Sequence, residues 1–409
     1  MKQFTLRLLF LLLLITATHI NAQKNASLAP APPMGWNSWN WFGKEDINEQ
    51  LIREIIDAMV SEGLVKAGYN YMVVDGGWRD DKLASDGSLI SHPQKFPNGM
   101  KALADYAHAK GMKFGLHTVP GIFDCKGDPV GAYGREEVHI RQFADWGVDF
   151  IKVDRCKMDT VTKEGHRGWT PELLQSTYRK WSELLAGCGR DIVFSISAYR
   201  FNGWYPELCN MARTTGDMPA RYTRGAIFDN NKRGGKLSVM KIADINNQSA
   251  AFAGNGYWND PDIMSLGEQG LNIAEQKSHF ALWCVMSAPL MLGNDPRNMT
   301  AEEKEMITNT ECIAVNQDPK EQGKRVIKEA EKEVWVKNLS DGSIAVLLLN
   351  RGDETKTLSF GLSEIGIKGK VKVRDLYMKK NMNEMFTASG TISYELQPHA
   401  SLFLKVTAK

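Results

Sequence analysis

The stretch Val148-Asp149-Phe150-Ile151-Lys152-Val153-Asp154-Arg155-Cys156 carries two ionisable side chains at the downstream end of an apolar run. As a buried parallel strand, its two-residue alternation puts Lys152 and Asp154 on one face. A lysine and a carboxylate there cost solvation energy unless they pair or take part in chemistry. A structural ion pair is the plainer explanation, and an active-site carboxylate is the sharper one. A second carboxylate comes from Cys209-Asn210-Met211-Ala212-Arg213-Thr214-Thr215-Gly216-Asp217. Arg213 and Asp217 are four apart, which an extended strand places on the same side.

Two carboxylates facing each other at ~5 Å suit retaining hydrolysis of a glycosidic bond, in which one attacks the anomeric carbon while the other protonates the leaving oxygen and then activates water. A separation of roughly 6.5–9.5 Å would suit inversion. On this expectation Lys152 keeps its neighbour Asp154 ionised. Asp217 needs a drier or more negative setting to hold its proton. Sugars also present apolar faces to indole rings and hydroxyls to charged groups. Trp36, Trp39, Trp41, Trp78, Trp204 and Trp258 stand near expected strand ends. Several must be core, and Trp39 is the expected wall of the site. Asp75 and Asp262 are natural hydroxyl acceptors, while His117 is either a site residue or a hydrogen-bonded core histidine.

The elements that must position these groups alternate. After Pro30-Ala31-Pro32-Pro33, the run Met34-Gly35-Trp36-Asn37-Ser38-Trp39 predicts a short aromatic strand. Apolar residues at three- and four-residue spacing predict helices over 47–66, 99–110, 135–146, 171–186, 238–253, 272–287 and 301–309. Short apolar runs predict strands over 69–75, 113–117, 148–154, 192–197, 211–217, 256–262 and 289–294. Eight strands alternating with helices specify an α/β fold, a (β/α)8 TIM barrel. No GxGxxG or Walker loop supports a doubly wound sheet. The runs end in Trp39, Asp75, His117, Asp154, Ser197, Asp217 and Asp262, and a barrel puts those ends on one rim, where sites of this fold are built. A charged link over 320–332 leads to period-two runs over 334–338, 344–350, 355–360, 371–376, 391–396 and 402–406. These predict a C-terminal antiparallel β-sandwich that braces the barrel.

Residues 1–22 join basic Lys2 and Arg7 to an apolar run, Leu8 to Ile15, and end in Ile20-Asn21-Ala22, the pattern of a secretory signal peptide. The expected division is a leader over 1–22, a barrel over 27–320 and a sandwich over 330–409. The apolar run is too short to span a membrane, and no Cys follows it to accept a lipid. An exported periplasmic or extracellular protein with no stable membrane anchor is expected. A formal charge of +2 over 409 residues, with no basic stripe, argues against nucleic acid. Six cysteines in an exported chain permit disulfides, and their wide spacing resembles no zinc site. Cys284, inside a predicted helix, is expected to be a free buried thiol.

Met34 to Trp39, the strand ending in Asp75, Lys152-Val153-Asp154-Arg155-Cys156, Arg213 to Asp217, Trp258-Asn259-Asp260-Pro261-Asp262, Ala288-Pro289-Leu290 and Ala314-Val315-Asn316-Gln317-Asp318 together resemble glycoside hydrolase family 27, the α-galactosidase and α-N-acetylgalactosaminidase (melibiase-like) family. The resemblance runs from about residue 30 to the C-terminus. It implies a retaining mechanism with Asp154 as nucleophile and Asp217 as acid/base, and a sugar cradle including Trp39, Asp75, Lys152, Arg213 and Asp262, to which His117 and Ser197 are added as substrate-binding candidates at positions where the family has other residues. It also implies a Cys125–Cys156 disulfide, an oligosaccharide or glycoconjugate substrate, and neither metal nor cofactor.

The sequence departs from the family pattern at three sugar-binding positions. Gly76 follows Asp75 where a second aspartate is usual, His117 replaces a tyrosine, and Ser197 stands where α-galactosidases have glutamate. Ser197 resembles the N-acetylgalactosaminidase branch, where serine leaves room for an acetamido group. The expected sugar is galactose, with N-acetylgalactosamine, β-L-arabinopyranose and a gluco-configured α-glycoside as alternatives. A family bridge is also lost because Ile196 precedes Ser197, so a Cys188–Cys209 bridge at the lower end of the barrel is predicted. Two further readings are a carbohydrate-binding protein without catalysis, which would have lost a carboxylate, and a metal-dependent barrel hydrolase, which would need a His-x-His-like cluster.

Overall fold

Eight short strands, all paired in parallel, form one curled sheet: β1 Met34–Asn37, β2 Tyr71–Val74, β3 Lys113–Thr118, β4 Phe150–Asp154, β5 Val193–Ser197, β6 Met211–Arg213, β7 Trp258–Asp260 and β8 Leu290–Leu292. They run in the order β8-β1-β2-β3-β4-β5-β6-β7. A parallel bridge between Met264, just past β7, and Leu292 on β8 closes the ring. The structure, a computed structural model, describes residues 24–158, 170–221, 225–229, 237–267, 269–382 and 385–409. The leader expected over 1–22 lies outside the described residues, among which no helix is long and apolar enough to cross a membrane.

Strand alternation divides the barrel into an apolar floor and a charged mouth. Tyr71, Val73, Phe150, Val193, Met211, Ile263 and Met291 pack together inside the ring. Further downstream on the same faces, in steps of two residues, come Asp75 after Val73, Lys152 and then Asp154 after Phe150, and Arg213 after Met211. Gly115 belongs to this register, since a Cβ there would lie 3.0 Å from Val73 Cγ2 and 3.1 Å from the Phe150 ring. The outward residues, such as Met72, Val74, Ile151, Val153, Phe194 and Ile196, join the core shared with the helices.

The helices follow the predicted stripes. Glu49–Ser61 starts at Asn48, whose side chain accepts from Leu51 N–H, and buries Leu51, Ile52, Ile55, Ile56 and Met59. Pro171–Ala186 has Thr170 as its cap and Pro171 in its first turn. The predicted helix over 238–253 is α-helical over Val239–Asn246 and tightens to a 3-10 turn over Asn247–Phe252. A hairpin of Arg79–Leu83 with Leu89–Ser91, which no periodicity announced, fills the connection after β2.

The C-terminal region is antiparallel, as predicted. Lys332–Asn338, Ile344–Asn350, Ser401–Ala408 and Lys370–Asp375 lie side by side in its main sheet, and Lys356–Gly361 pairs with Thr391–Leu396 in a second. Part of the expected link, Lys324–Glu329, is instead an edge strand on Lys332–Asn338. Its exposed charges suit an edge and mask its alternation. Val334, Val346, Leu348, Leu402 and Leu404 face the second sheet. Trp335, Leu347, Leu349 and Phe403 face the barrel. The helix Ile273–Val285 lies between these layers and is buried nearly all round.

Charges also cross this junction. Glu333, fully buried, accepts from Arg325 Nη1 at 2.8 Å, Arg351 Nη1 at 2.9 Å and Trp335 Nε1 at 3.0 Å. Both arginines also pair with Asp244. His399 stacks on Phe228 and places Nδ1 2.7 Å from Glu275 and Nε2 3.2 Å from Asp353. The Glu275 hydrogen bond, opposed by partial burial, raises the His399 pKa above its ordinary value. A group whose folded pKa is raised contributes stability that is complete below its unfolded value and lost as pH rises through the folded one. His399→Gln is therefore expected to lower Tm by about 1–3 °C more at pH 5.5 than at pH 9, checked by thermal melts at both pH values.

Candidate active site

The charged mouth opens into a cavity of about 710 Å³ lined by residues at or just past the ends of β1 to β7, including Trp39, Asp75, His117, Lys152, Asp154, Arg213, Asp217 and Asp262. Asp75 sits just past β2 and is 3% exposed. Its Oδ2 accepts from Lys152 Nζ at 2.8 Å and from Asn37 Nδ2 at 3.0 Å. Ser38 Oγ accepts its backbone N–H at 2.9 Å. The polar part of the Trp36-Asn37-Ser38-Trp39 motif thus fixes Asp75, Trp36 is core, and Trp39 lines the cavity. Burial alone would raise the Asp75 pKa, but the Lys152 and His117 charges and the two side-chain donors outweigh it and hold the carboxyl well below the usual range. Lys152 pairs with Asp75 rather than with its expected partner Asp154, because alternation points both groups inward while Asp75 stands across the mouth.

Three donors converge on Asp154 instead. Ser197 Oγ donates to Oδ2 at 2.8 Å, Tyr199 Oη to Oδ1 at 2.5 Å and Cys156 N–H to Oδ1 at 2.9 Å. An ionised carboxylate only accepts, so this set fits an anion held in one orientation. Ser197 is fully buried behind Asp154 and does not line the cavity, so its expected contact with sugar is replaced by a contact with the carboxylate. Cys156 is joined to Cys125, with Cα atoms 4.9 Å apart. Burial, reinforced by the Lys152 and Arg79 charges, outweighs the pull of Asp75 and Asp154 and keeps the His117 pKa below its ordinary value.

Tyr199 is a site residue that neither strand nor helix periodicity marks. It lies past β5 at φ 63, a left-handed conformation that a tyrosine rarely adopts, in the cavity wall. Burial and the charges of Asp154 and Asp217 raise its pKa, so the phenol remains a donor. Only the pattern of an aromatic two residues beyond a strand end hinted at it.

Asp217 is not on a strand, because β6 ends at Arg213. The intervening loop wraps the Arg213 guanidinium, whose Nη2 donates to the carbonyls of Thr215 at 3.3 Å and Gly216 at 3.0 Å. Nη1 pairs with Asp217 at 3.1 Å and Asp262 at 3.0 Å. Asp262, also past its strand and at φ 145, accepts Met218 N–H at 2.6 Å and so ties down the residue after Asp217. The Asp217 side chain is 63% exposed, so the expected drier setting is absent. Burial and the neighbouring Asp217 and Asp260 push Asp262 up to about 7 against the pull of Arg213. Arg213 Nε is buried without a partner among the described residues.

The remaining cysteines correct one expectation. Cys188 and Cys209 are not bridged. Each thiol donates to a local carbonyl at 3.3 Å, Cys188 to Arg190 and Cys209 to Tyr205. Cys284 is free and buried, as expected. Ligand atoms of His117, Cys125 and Asp154 lie within 4.8 Å of one another, the one such cluster among the described residues, but the Cys125 sulfur is held in its disulfide.

Comparison with known proteins agrees with this architecture. Residues 31–318 match the family model described as alpha galactosidase A, and residues 329–406 match the alpha galactosidase C-terminal beta sandwich domain. The chain belongs to glycoside hydrolase family 27. It is 37% identical to alpha-galactosidase 2 of Arabidopsis thaliana, over 99% of this chain and 98% of that one. Alpha-galactosidase I from Mortierella vinacea superposes with a TM-score of 0.85 at 30% identity, covering 94% of this chain and 99% of that structure. The alpha-galactosidase of Saccharomyces cerevisiae, solved with raffinose, gives 0.82 at 25% identity, over 94% and 99%. This family 27 chain is therefore a glycoside hydrolase.

The Tyr199 hydroxyl is the contact most open to test. A hydrogen bond to a charged group contributes about 1.5–3 kcal/mol, so Tyr199→Phe is expected to lower kcat/KM by ~10–100-fold. Steady-state kinetics on an aryl glycoside, with a thermal melt confirming the fold, measure it.

Proposed function

We propose that this chain is an exported, retaining exo-α-galactosidase that removes terminal galactose from oligosaccharides or glycoconjugates. The observation carrying this is the pairing of a buried, triply hydrogen-bonded carboxylate, Asp154, with an exposed one, Asp217, on the wall of the same cavity. Asp154 attacks the anomeric carbon, and Asp217 protonates the departing oxygen. Water, deprotonated by Asp217, then releases the sugar from Asp154. Exposure of Asp217 suits a group that meets the leaving group first and incoming water second. Arg213 beside it stabilises the carboxylate left after proton transfer.

The ionic partners Asp75–Lys152 and Arg213–Asp262, with the Trp39 ring, supply the polar and apolar contacts a pyranose requires. The relatives named above support galactose as that pyranose. Ser197 favours the same choice over N-acetylgalactosamine, because its hydroxyl is engaged with Asp154 behind the cavity wall rather than bordering space for an acetamido group. Retention of both carboxylates weighs against a binding protein without turnover.

On an aryl α-galactoside, Asp217→Ala is expected to lose ~10²–10⁴-fold in rate, and Asp154→Ala to lose turnover entirely, both with unchanged melting curves. Mass spectrometry of the wild type after a slow galactosyl inactivator should place the sugar on Asp154. Undiminished turnover in either variant removes that residue from its role. A parallel panel of aryl N-acetylgalactosaminide, α-glucoside and β-L-arabinopyranoside, if preferred over galactoside, would replace the sugar named here.

A further inference from the structure

The cavity is larger than the mouth of the barrel. Past Asp75 it continues between the segment Gly76–Lys82 after β2, the segment His92–Lys95, and Asp124–Asp128 after β3. This chamber extends away from β6 and Asp217. Gly76 stands at the join. Its φ lies outside the left-handed region, and a Cβ there would meet only Trp39 Cζ3, at 3.5 Å, an ordinary contact. The passage is therefore open because residue 76 has no side chain, not because the backbone demands a glycine. Two histidines on its wall, His92 and His117, each hold a buried Nδ1 with no partner among the described residues. Acids and bases alternate around it, as in Asp81, Lys82, Lys95 and Asp128, so the lining offers donors and acceptors without one sign of charge. Such a wall suits a neutral polyhydroxylated ligand. The total of about 710 Å³ falls within the ~300–1,000 Å³ that seats ligands larger than one sugar ring.

We propose that this chamber is a second sugar subsite on the non-reducing side of the galactose, so that the enzyme also releases galactose that carries another glycosyl unit. The proposal rests on the assignment of Asp154 and Asp217, since the proton donor marks the side on which the leaving group departs and the chamber lies on the other. The chemistry is unchanged. The bond from the anomeric carbon to the leaving oxygen breaks as that oxygen takes the Asp217 proton. The disaccharide is held as an ester of Asp154, and water then cleaves the ester while returning a proton to Asp217.

The test compares an aryl α-galactoside with the aryl α-glycoside of 1,6-linked digalactose, following phenol release and early products by chromatography. Phenol release from the digalactoside without a lag, with intact disaccharide as the first product, is the expected result. Gly76→Phe at the join and Gln94→Trp on the exposed outer wall should each lower kcat/KM for the digalactoside about tenfold more than for the galactoside. A lag, with galactose as the only early product, overturns the subsite and leaves the galactosidase assignment standing. Equal losses on both substrates in both variants overturn it as well. Failure to turn over either substrate overturns the subsite and the galactosidase assignment together.

Discussion

Two ion pairs buried at the barrel mouth, Lys152 with Asp75 and Arg213 with Asp262, set the geometry on which everything else in the site depends. Charges withdrawn from water this far, Asp75, Arg213 and Asp262 at 3% exposure and the Lys152 side chain at 14%, are tolerated only when paired and hydrogen-bonded, and breaking one partner leaves the other uncompensated. The first pair links β4 to the end of β2 across the intervening β3, and the second links the ends of the neighbouring strands β6 and β7, so together they fix the relative positions of strand ends around the mouth. Arg213 does more than pair. By donating to two carbonyls of the following loop it converts what would be an extended continuation of β6 into a wrap that carries Asp217 back over the mouth.

The floor of the barrel explains why these charges can stand where they do. Tyr71, Phe150, Val193 and Met211 fill the ring beneath them with apolar volume. Because side chains alternate, the same strands that plug the barrel must present their next inward residue at the top. A sequence that places Phe150, Lys152 and Asp154 two apart therefore encodes both the plug and the site in a single register. A one-residue slip would exchange the whole set with the helix-facing Ile151 and Val153.

That register made the barrel and its rim legible from the sequence. All eight strands lie where short apolar runs predicted them, and Asp75, Asp154 and Asp262 are marked by their place at the ends of those runs, Lys152 by its alternation with Asp154, and Arg213 by its four-residue spacing from Asp217. What escaped was whatever depends on loops and on contacts between distant segments. Asp217 and Asp262 looked like strand ends, yet their positions come from hydrogen bonds around Arg213 that no periodicity records. Tyr199 occupies a left-handed backbone position, which sequence patterns assign to glycine or asparagine. Ser197 was placed on the rim correctly, but the direction of its hydroxyl toward Asp154 is a matter of packing. The edge strand over 324–329 was hidden because edges are charged for protection against pairing, which erases the alternation used to recognise strands.

The two carboxylates also differ in how many contacts hold them. Asp154 ends a central strand, is nearly buried, and is oriented by donors from β5, from the loop after β5 and from its own turn, itself anchored by the Cys125–Cys156 bridge. Asp217 is exposed and held through one guanidinium and through the Met218 amide. A group that forms a covalent bond at one carbon needs a fixed approach, whereas a group that first gives and then takes a proton must serve two oxygens in turn. In the roles proposed for Asp154 and Asp217, the strand supplies the first requirement, and a loop tethered at its base supplies the second.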